Sequence, residues 1–378
     1  MLLVGFQPGN AAGAAAAPPV GPAGTAFYDP PDRSPAGRPG DVIRYRRVAA
    51  LPGTRAWRIL YVSRSALDRP IAVSGLVIVP TRRMDGPRPI VGYGHGTAGL
   101  ADSCAGSLSP LSVAGQVVGA LVRGWAVAFT DYEGLGTPGL HTYQVGRSEG
   151  RSVLDAVRAA QRLPAAGLGS SNPVGLWGYS QGGGAVAWAA ELQPAYAPEL
   201  NLVGVAAGGT PADLRAVADK LKDTLIGPIP LAMTALGFDA AYPDFHLDEL
   251  LSDRGREVLG KVKVDCMAAI AARLAGRSLA GLTRRDPLQD EVFLRRLDEN
   301  RLGQHPPNVP VLLVHGRSDE ASPIGQAHQL AKEYCAAGVD VTWKTFWGDH
   351  LVAGVTSQPT VLRFLADRFE GRPVTTTC

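Results

Sequence analysis

The hydrophobic pattern changes character along the chain. Over residues 42–48, 55–62 and 71–79, β-branched and aromatic residues mix with polar ones, as in antiparallel strands with a solvated side. Farther on the runs become short and almost wholly apolar. Residues 89–92, 126–129, 174–177, 202–205 and 311–314 read as strands covered on both faces, and residues 341–346 form a sixth, more mixed run. Pro310 sits at a strand entry, where a missing N–H is tolerated. Helix-period segments lie between them at residues 148–163, 183–192, 325–336 and 359–369. This alternation predicts an α/β fold: a mostly parallel, doubly wound sheet behind an antiparallel N-terminal ribbon.

One connection breaks the alternation. About a hundred residues separate the run near Ala207 from the one at Val311, against roughly 2–6 for an ordinary strand–helix loop. The expected organisation is therefore a catalytic domain over residues 27–208 and 305–378, with a helical cap inserted at 209–304. Thr210-Pro211-Ala212-Asp213 reads as an N-cap, a first-turn proline and an acid at the third position, and residues 247–259, 262–274 and 287–297 carry helical patterns. Residues 225–238, with Leu225, Ile229, Met233 and Phe238, are apolar enough either to line a substrate pocket or to form the cap's own core.

Composition narrows the partners. With 46% hydrophobic and 19% charged residues, a formal charge of +3 and no long basic run, the chain reads as globular and not as a nucleic-acid binder. No stretch approaches the ~18–20 apolar residues of a membrane span, so stable membrane insertion is not expected. Residues 1–26 read as a disordered leader or an incomplete signal region. Leu2 to Phe6 are apolar and Ala14 to Ala17 offer a cleavage-like site, but no basic residue precedes Arg33, so either the true start lies upstream or this is a leader. Cys104, Cys266, Cys335 and Cys378 contain no CxxC or Cys/His cluster, which argues against a zinc site. Cys104 lies in a polar loop. A bridge from it to Cys266 would contribute roughly 4–5 kcal/mol by loop entropy; four reduced thiols are the alternative, and composition does not separate them.

The pattern G-x-S-x-G occurs twice. Gly178-Tyr179-Ser180-Gln181-Gly182 follows an apolar run and opens into a small-residue helix, the strand–turn–helix context of a nucleophile elbow. Gly146-Arg147-Ser148-Glu149-Gly150 follows a polar loop, which makes Ser148 a helix N-cap. Ser180 is thus the expected nucleophile. An acid and then a histidine should follow at later strand ends, and Asp319 after residues 311–314 and His350 after residues 341–346 fit that order. Glu320 and Asp349 are the competing acids, and Asp349 is too close in sequence to His350 to face its ring. Among the other histidines, His141 reads as a surface or packing residue. The amides of Gln181 and Thr97 are the expected oxyanion donors, with His95 as a supporting polar residue in the glycine-rich loop at residues 92–99.

Taken together, Tyr93-Gly94-His95-Gly96-Thr97, Asp102-Ser103-Cys104, Asp131-Tyr132-Glu133-Gly134-Leu135-Gly136, Gly178-Tyr179-Ser180-Gln181-Gly182 and Gly348-Asp349-His350 resemble the secretory lipase family of α/β-hydrolases. The resemblance runs from about residue 27 to 369. It implies a helical cap after the sixth strand, ester hydrolysis without a cofactor, secretion, and a disulfide between Cys104 and Cys266. The expected partner is an ester or lipid substrate met by transient contact at a lipid interface and without membrane insertion, no metal is needed, and a monomer is expected. The same triad would serve an acyltransferase, and a non-catalytic binding protein on this scaffold would have lost a triad member. In the loop 131–136, Asp131 either bonds the Gly94–Thr97 loop or the elbow, or buttresses a turn.

Overall fold

The computed structural model describes residues 17–32 and 35–378; the expectations for residues 1–16 lie outside them. Nine strands form one sheet: β1 (Val42–Val48), β2 (Thr54–Arg64), β3 (Pro70–Pro80), β4 (Ile90–Gly94), β5 (Ala126–Thr130), β6 (Val174–Tyr179), β7 (Leu202–Gly208), β8 (Val311–Gly316) and β9 (Val341–Phe346). Their spatial order is β1-β2-β3-β5-β4-β6-β7-β8-β9. The pairs β1–β2, β2–β3 and β3–β5 are antiparallel and the rest parallel, so the N-terminal ribbon is continuous with the parallel sheet.

Alternation along each strand explains the two layers that cover the sheet. Ile90, Leu176, Val311 and Leu313 face helices Gly146–Arg162, Gln181–Tyr196 and Ile324–Ala336, while Val91, Trp177, Leu312 and Val314 face helices Pro110–Gln116, Val118–Val122 and Gln358–Phe369. Strands buried on both sides need apolar residues at every position, which is why these runs carry no period of two.

Between β7 and β8 the chain is helical and builds its own hydrophobic cluster around Leu236, Phe238, Tyr242, Phe245 and Leu297. Counted in chain order, this insertion follows the seventh strand, or the sixth if the edge strand β1 is set aside. Its first helix, Leu214–Leu221, begins later than Thr210-Pro211 suggests. Asp213 is the residue that caps it, accepting from the Ala216 amide at 2.9 Å. The expected helix over 247–259 is broken where Leu251 bridges Thr283 and Ser252 caps Asp253–Val262. The expected helix over 262–274 is interrupted between Val262, which ends the preceding helix, and Met267, because the chain there pairs with the catalytic part. There Leu100 N–H bonds the Asp265 carbonyl (3.1 Å) and Met267 N–H the Ala98 carbonyl (2.9 Å), and a disulfide joins Cys104 to Cys266.

A second disulfide, unforeseen in the sequence, joins Cys335 to Cys378. It holds the C-terminal residues along the outer edge of β9, where Thr377 N–H bonds the Val341 carbonyl (2.8 Å) and Trp343 N–H bonds Thr377 Oγ1 (2.9 Å). That covers a strand edge that would otherwise present unpaired backbone groups. Among the described residues no helix is long and apolar enough to cross a membrane.

Candidate active site

Strand β6 ends at Tyr179 and the helix Gln181–Tyr196 begins two residues later, so Ser180 must turn the chain alone. It does so at φ 61°, ψ −125°, a conformation few residues other than glycine adopt. Its amide donates to the Gly208 carbonyl at 2.8 Å, which pins the turn to β7. The flanking glycines are required by contact: a Cβ on Gly182 would collide with the Gly94 carbonyl, and one on Gly178 with the Gly182 carbonyl. Gln181 opens the helix, so its amide is one of the donors without an intrahelical acceptor.

The loops after β8 and β9 meet beside this turn. His350 Nδ1–H donates to Asp319 Oδ2 at 2.8 Å, and the Asp319 side chain is fully buried. Asp319 Oδ1 accepts from the amides of Ser322 (2.7 Å) and Ala321 (3.1 Å), so the carboxylate is fixed before the ring arrives. Nε2 is left as the free ring nitrogen. The Tyr179 hydroxyl donates to the His350 carbonyl (2.8 Å), tying the histidine loop to the residue before Ser180. The two competing acids have other tasks: Asp349 caps helix His350–Thr356 through the Val352 amide, and Glu320 accepts from the His350 amide. His315 lies 3.4 Å from Asp319 Oδ2, but its Nε2–H donates to the Ser322 carbonyl at 2.6 Å, and burial lowers its pKa.

Ser180 and His350 line one cavity of about 540 Å³, together with Gly96, Thr97, Tyr143 and Gln144. Its other wall is the insertion, through Leu231, Ile229, Met233, Met267, Phe293 and Leu297. Of the four residues expected to contact substrate, Ile229 and Met233 line this cavity. Leu225 and Phe238 do not: Leu225 is 76% exposed, and Phe238 is fully buried against Tyr242 and Phe293 in the insertion's own core. Thr97 is half-buried, with its hydroxyl 3.0 Å from that of Tyr143.

The polar groups behind the cavity include several that the sequence did not single out. Gln181 Nε2 donates to Glu149 Oε1 (2.7 Å) and lies 2.8 Å from His141 Nε2. Burial holds the Glu149 carboxyl at a pKa of about 8 and the His141 imidazole at about 4. His141 is therefore neutral, with Nδ1–H donating to the Glu133 carbonyl (2.9 Å) and Nε2 free to accept. Ser148 donates to Glu133 Oε2 from inside the first turn of helix Gly146–Arg162. It is not the N-cap expected of it, since the helix already begins at Gly146 after Val145. The Asp131 carboxyl is bonded by neither the Gly94–Thr97 loop nor the elbow, although the residue's backbone lies within reach of the His95 ring. It is buried, accepts from Ser74 Oγ (2.7 Å) and Ser107 N (2.9 Å), and its pKa is raised by that burial. Tyr132 is the residue that reaches the glycine-rich loop, donating to the His95 carbonyl at 3.0 Å. His95 faces away from the cavity between Phe129 and Tyr132, with Nδ1 2.6 Å from the Gly96 carbonyl.

This sheet order, with the serine turn after β6 and covering helices on both faces, defines the protein as an α/β-hydrolase. The solved structure of Candida antarctica lipase A in its closed state has the same fold, with a TM-score of 0.81 at 24% identity over 90% of this chain and 84% of that one. The family model for secretory lipases matches residues 113–377, more than half of the sequence. The chain belongs to the secretory lipase family, and so to the carboxylic ester hydrolases. Its relatives include a secreted triacylglycerol lipase of Malassezia globosa, 30% identical over 93% of this chain and 80% of that protein. Another, from Mycobacterium tuberculosis, is 31% identical over 98% of this chain and 90% of its own length, and is named a probable inactive lipase.

Proposed function

We propose that the protein hydrolyses acyl esters through a covalent acyl-serine intermediate on Ser180. His350 Nε2 takes the Ser180 proton as the hydroxyl attacks the ester carbonyl; the Gln181 and Thr97 amides stabilise the oxyanion; and the imidazolium, held by Asp319, returns the proton to the leaving alcohol. Water then repeats the cycle to release the acid. No step calls on a metal or a cofactor.

The observation that carries this reading is that Ser180, in its strained turn, shares one cavity with a histidine whose other nitrogen is 2.8 Å from a buried aspartate. Family membership alone does not carry it, since one relative is named inactive. A binding protein on this scaffold has no use for all three groups together.

The insertion acts as a cap whose apolar wall, with Ile229 and Met233, receives the acyl chain. The name of the Malassezia relative and the two disulfides, which fit an oxidising compartment, support secretion and a lipid ester as substrate. The test is hydrolysis of a chain-length series of nitrophenyl esters and of triglyceride emulsions. Ser180→Ala is expected to lose on the order of 10⁴-fold or more in kcat on every substrate. Near-wild-type turnover by that variant would remove Ser180 from the mechanism.

A further inference from the structure

We propose that Glu149 is a positioning residue for the oxyanion site, holding the two chain segments that carry its donors in one register. This rests on the reading of Ser180 given above and adds a residue to it. Glu149 lies in helix Gly146–Arg162, is 1% exposed and does not line the cavity. Its Oε1 accepts two bonds from opposite sides: the Gln181 side-chain amide at 2.7 Å and the backbone N–H of Gln144 at 2.9 Å.

Each of those bonds leads to one candidate donor. Gln181 is the residue whose backbone amide follows the nucleophile, and fixing its side chain fixes the first turn of its helix. The second proton of its amide goes to His141 Nε2, which is free to accept because Nδ1–H is held by the Glu133 carbonyl. On the other side, Gln144 stands at φ 63°, a left-handed position that the bond from its N–H helps to hold. Its neighbour Tyr143 presents the hydroxyl that lies 3.0 Å from Thr97 Oγ1. Thr97, Tyr143, Gln144, Glu149 and Gln181 are thus joined in one chain, in which the carboxyl bonds both the loop and the elbow and His141 supports the same junction.

The geometry has a consequence for pH. Both donors converge on Oε1, which leaves Oε2 to carry a proton, and burial keeps that proton in place up to about pH 8. The titratable groups around the carboxyl are His141, Tyr132 and Tyr143, with Glu133 beyond His141. Burial holds the histidine neutral and both phenols protonated, so none supplies a compensating charge. Ionisation of Glu149 therefore places an unpaired negative charge behind the site where the oxyanion forms. That opposes the transition state and leaves ester binding alone. An alkaline fall in kcat near pH 8 follows.

The experiment is the profile of kcat and KM on a soluble nitrophenyl ester, from about pH 6 to about pH 9.5, for wild type, Glu149→Gln and Glu149→Ala. Folded enzyme is counted by stoichiometric phosphonylation of Ser180. Glu149→Ala is expected to lose about 10–100-fold in kcat per titrated site with KM changed less than about threefold. Glu149→Gln, which keeps the acceptor oxygen and cannot ionise, should recover most of that loss and show no alkaline limb near pH 8. The proposal is overturned if Glu149→Ala keeps kcat per site within about twofold, or if Glu149→Gln retains the limb. A purely structural role predicts fewer titratable sites with unchanged kcat per site, which also overturns it. If wild type forms no Ser180 adduct, the functional reading fails instead, and the two failures are told apart by that control.

Discussion

The molecule contains the same pentapeptide pattern twice, and the two copies have different physical reasons for their glycines. At 178–182 the glycines let a strand, a loop and a helix start converge on backbone carbonyls, and the serine between them takes a left-handed turn. At 146–150 the serine is an ordinary helical residue. Gly146 avoids the Trp188 indole, and Gly150 lets its helix pass close to the backbone of Trp188 and Ala189. The pattern therefore encodes close approach, and only the element before it decides whether that approach serves chemistry or packing. The two copies also touch: the residue after each serine, Gln181 in one and Glu149 in the other, is bonded to its counterpart.

The contrast can be pressed by substitution. Beyond Ser180 itself, Asp319→Asn should have the largest effect, about 10³–10⁴-fold in kcat, because it removes the acceptor that holds the His350 tautomer for the first serine; rates on a short soluble ester measure it. A loss under tenfold would dissolve the distinction between the copies. Gly182→Ala comes next, at about 10²-fold, since the Gly94 carbonyl must shift and carry with it the glycine-rich loop proposed to bind the oxyanion. Smallest is Ser148→Ala. It deprives the partly buried Glu133 of one donor and should cost about 1 kcal/mol in denaturant unfolding, with kcat within about threefold of wild type. A catalytic loss there rivalling that of Asp319→Asn would mean that the second copy also does chemistry.

Legibility followed the kind of signal each region carries. The strands were readable because a strand covered on both faces has no choice but to be apolar, and Ser180, Asp319 and His350 because each stands just past such a run. The polar layer behind the cavity was not. Glu149 and His141 lie far from Gln181 in sequence, and His141 was set aside as a packing histidine; the one available hint was an acid in the first turn of a helix with so many small and apolar residues. Within the insertion, hydrophobicity cannot tell a cavity wall from a core, so Leu225 and Phe238 were grouped with Ile229 and Met233. Its helix limits were misplaced where long-range pairing overrides local pattern, at Leu251 with Thr283 and at Asp265 with Leu100. Cys335 and Cys378 meet only because the chain end returns to β9.

The staple between Cys104 and Cys266, with its two backbone bonds at Ala98 and Leu100, fastens the insertion along a line that begins one residue beyond Thr97. Other ties hold the insertion near its two chain ends, where the Ala212 amide bonds Gln326 Oε1 at 2.5 Å and Gly146 N–H bonds Asn300 Oδ1 at 2.9 Å. The covalent tie is the one that adjoins Thr97, so it steadies the stretch of backbone that the proposed mechanism needs held still while an ester is cleaved.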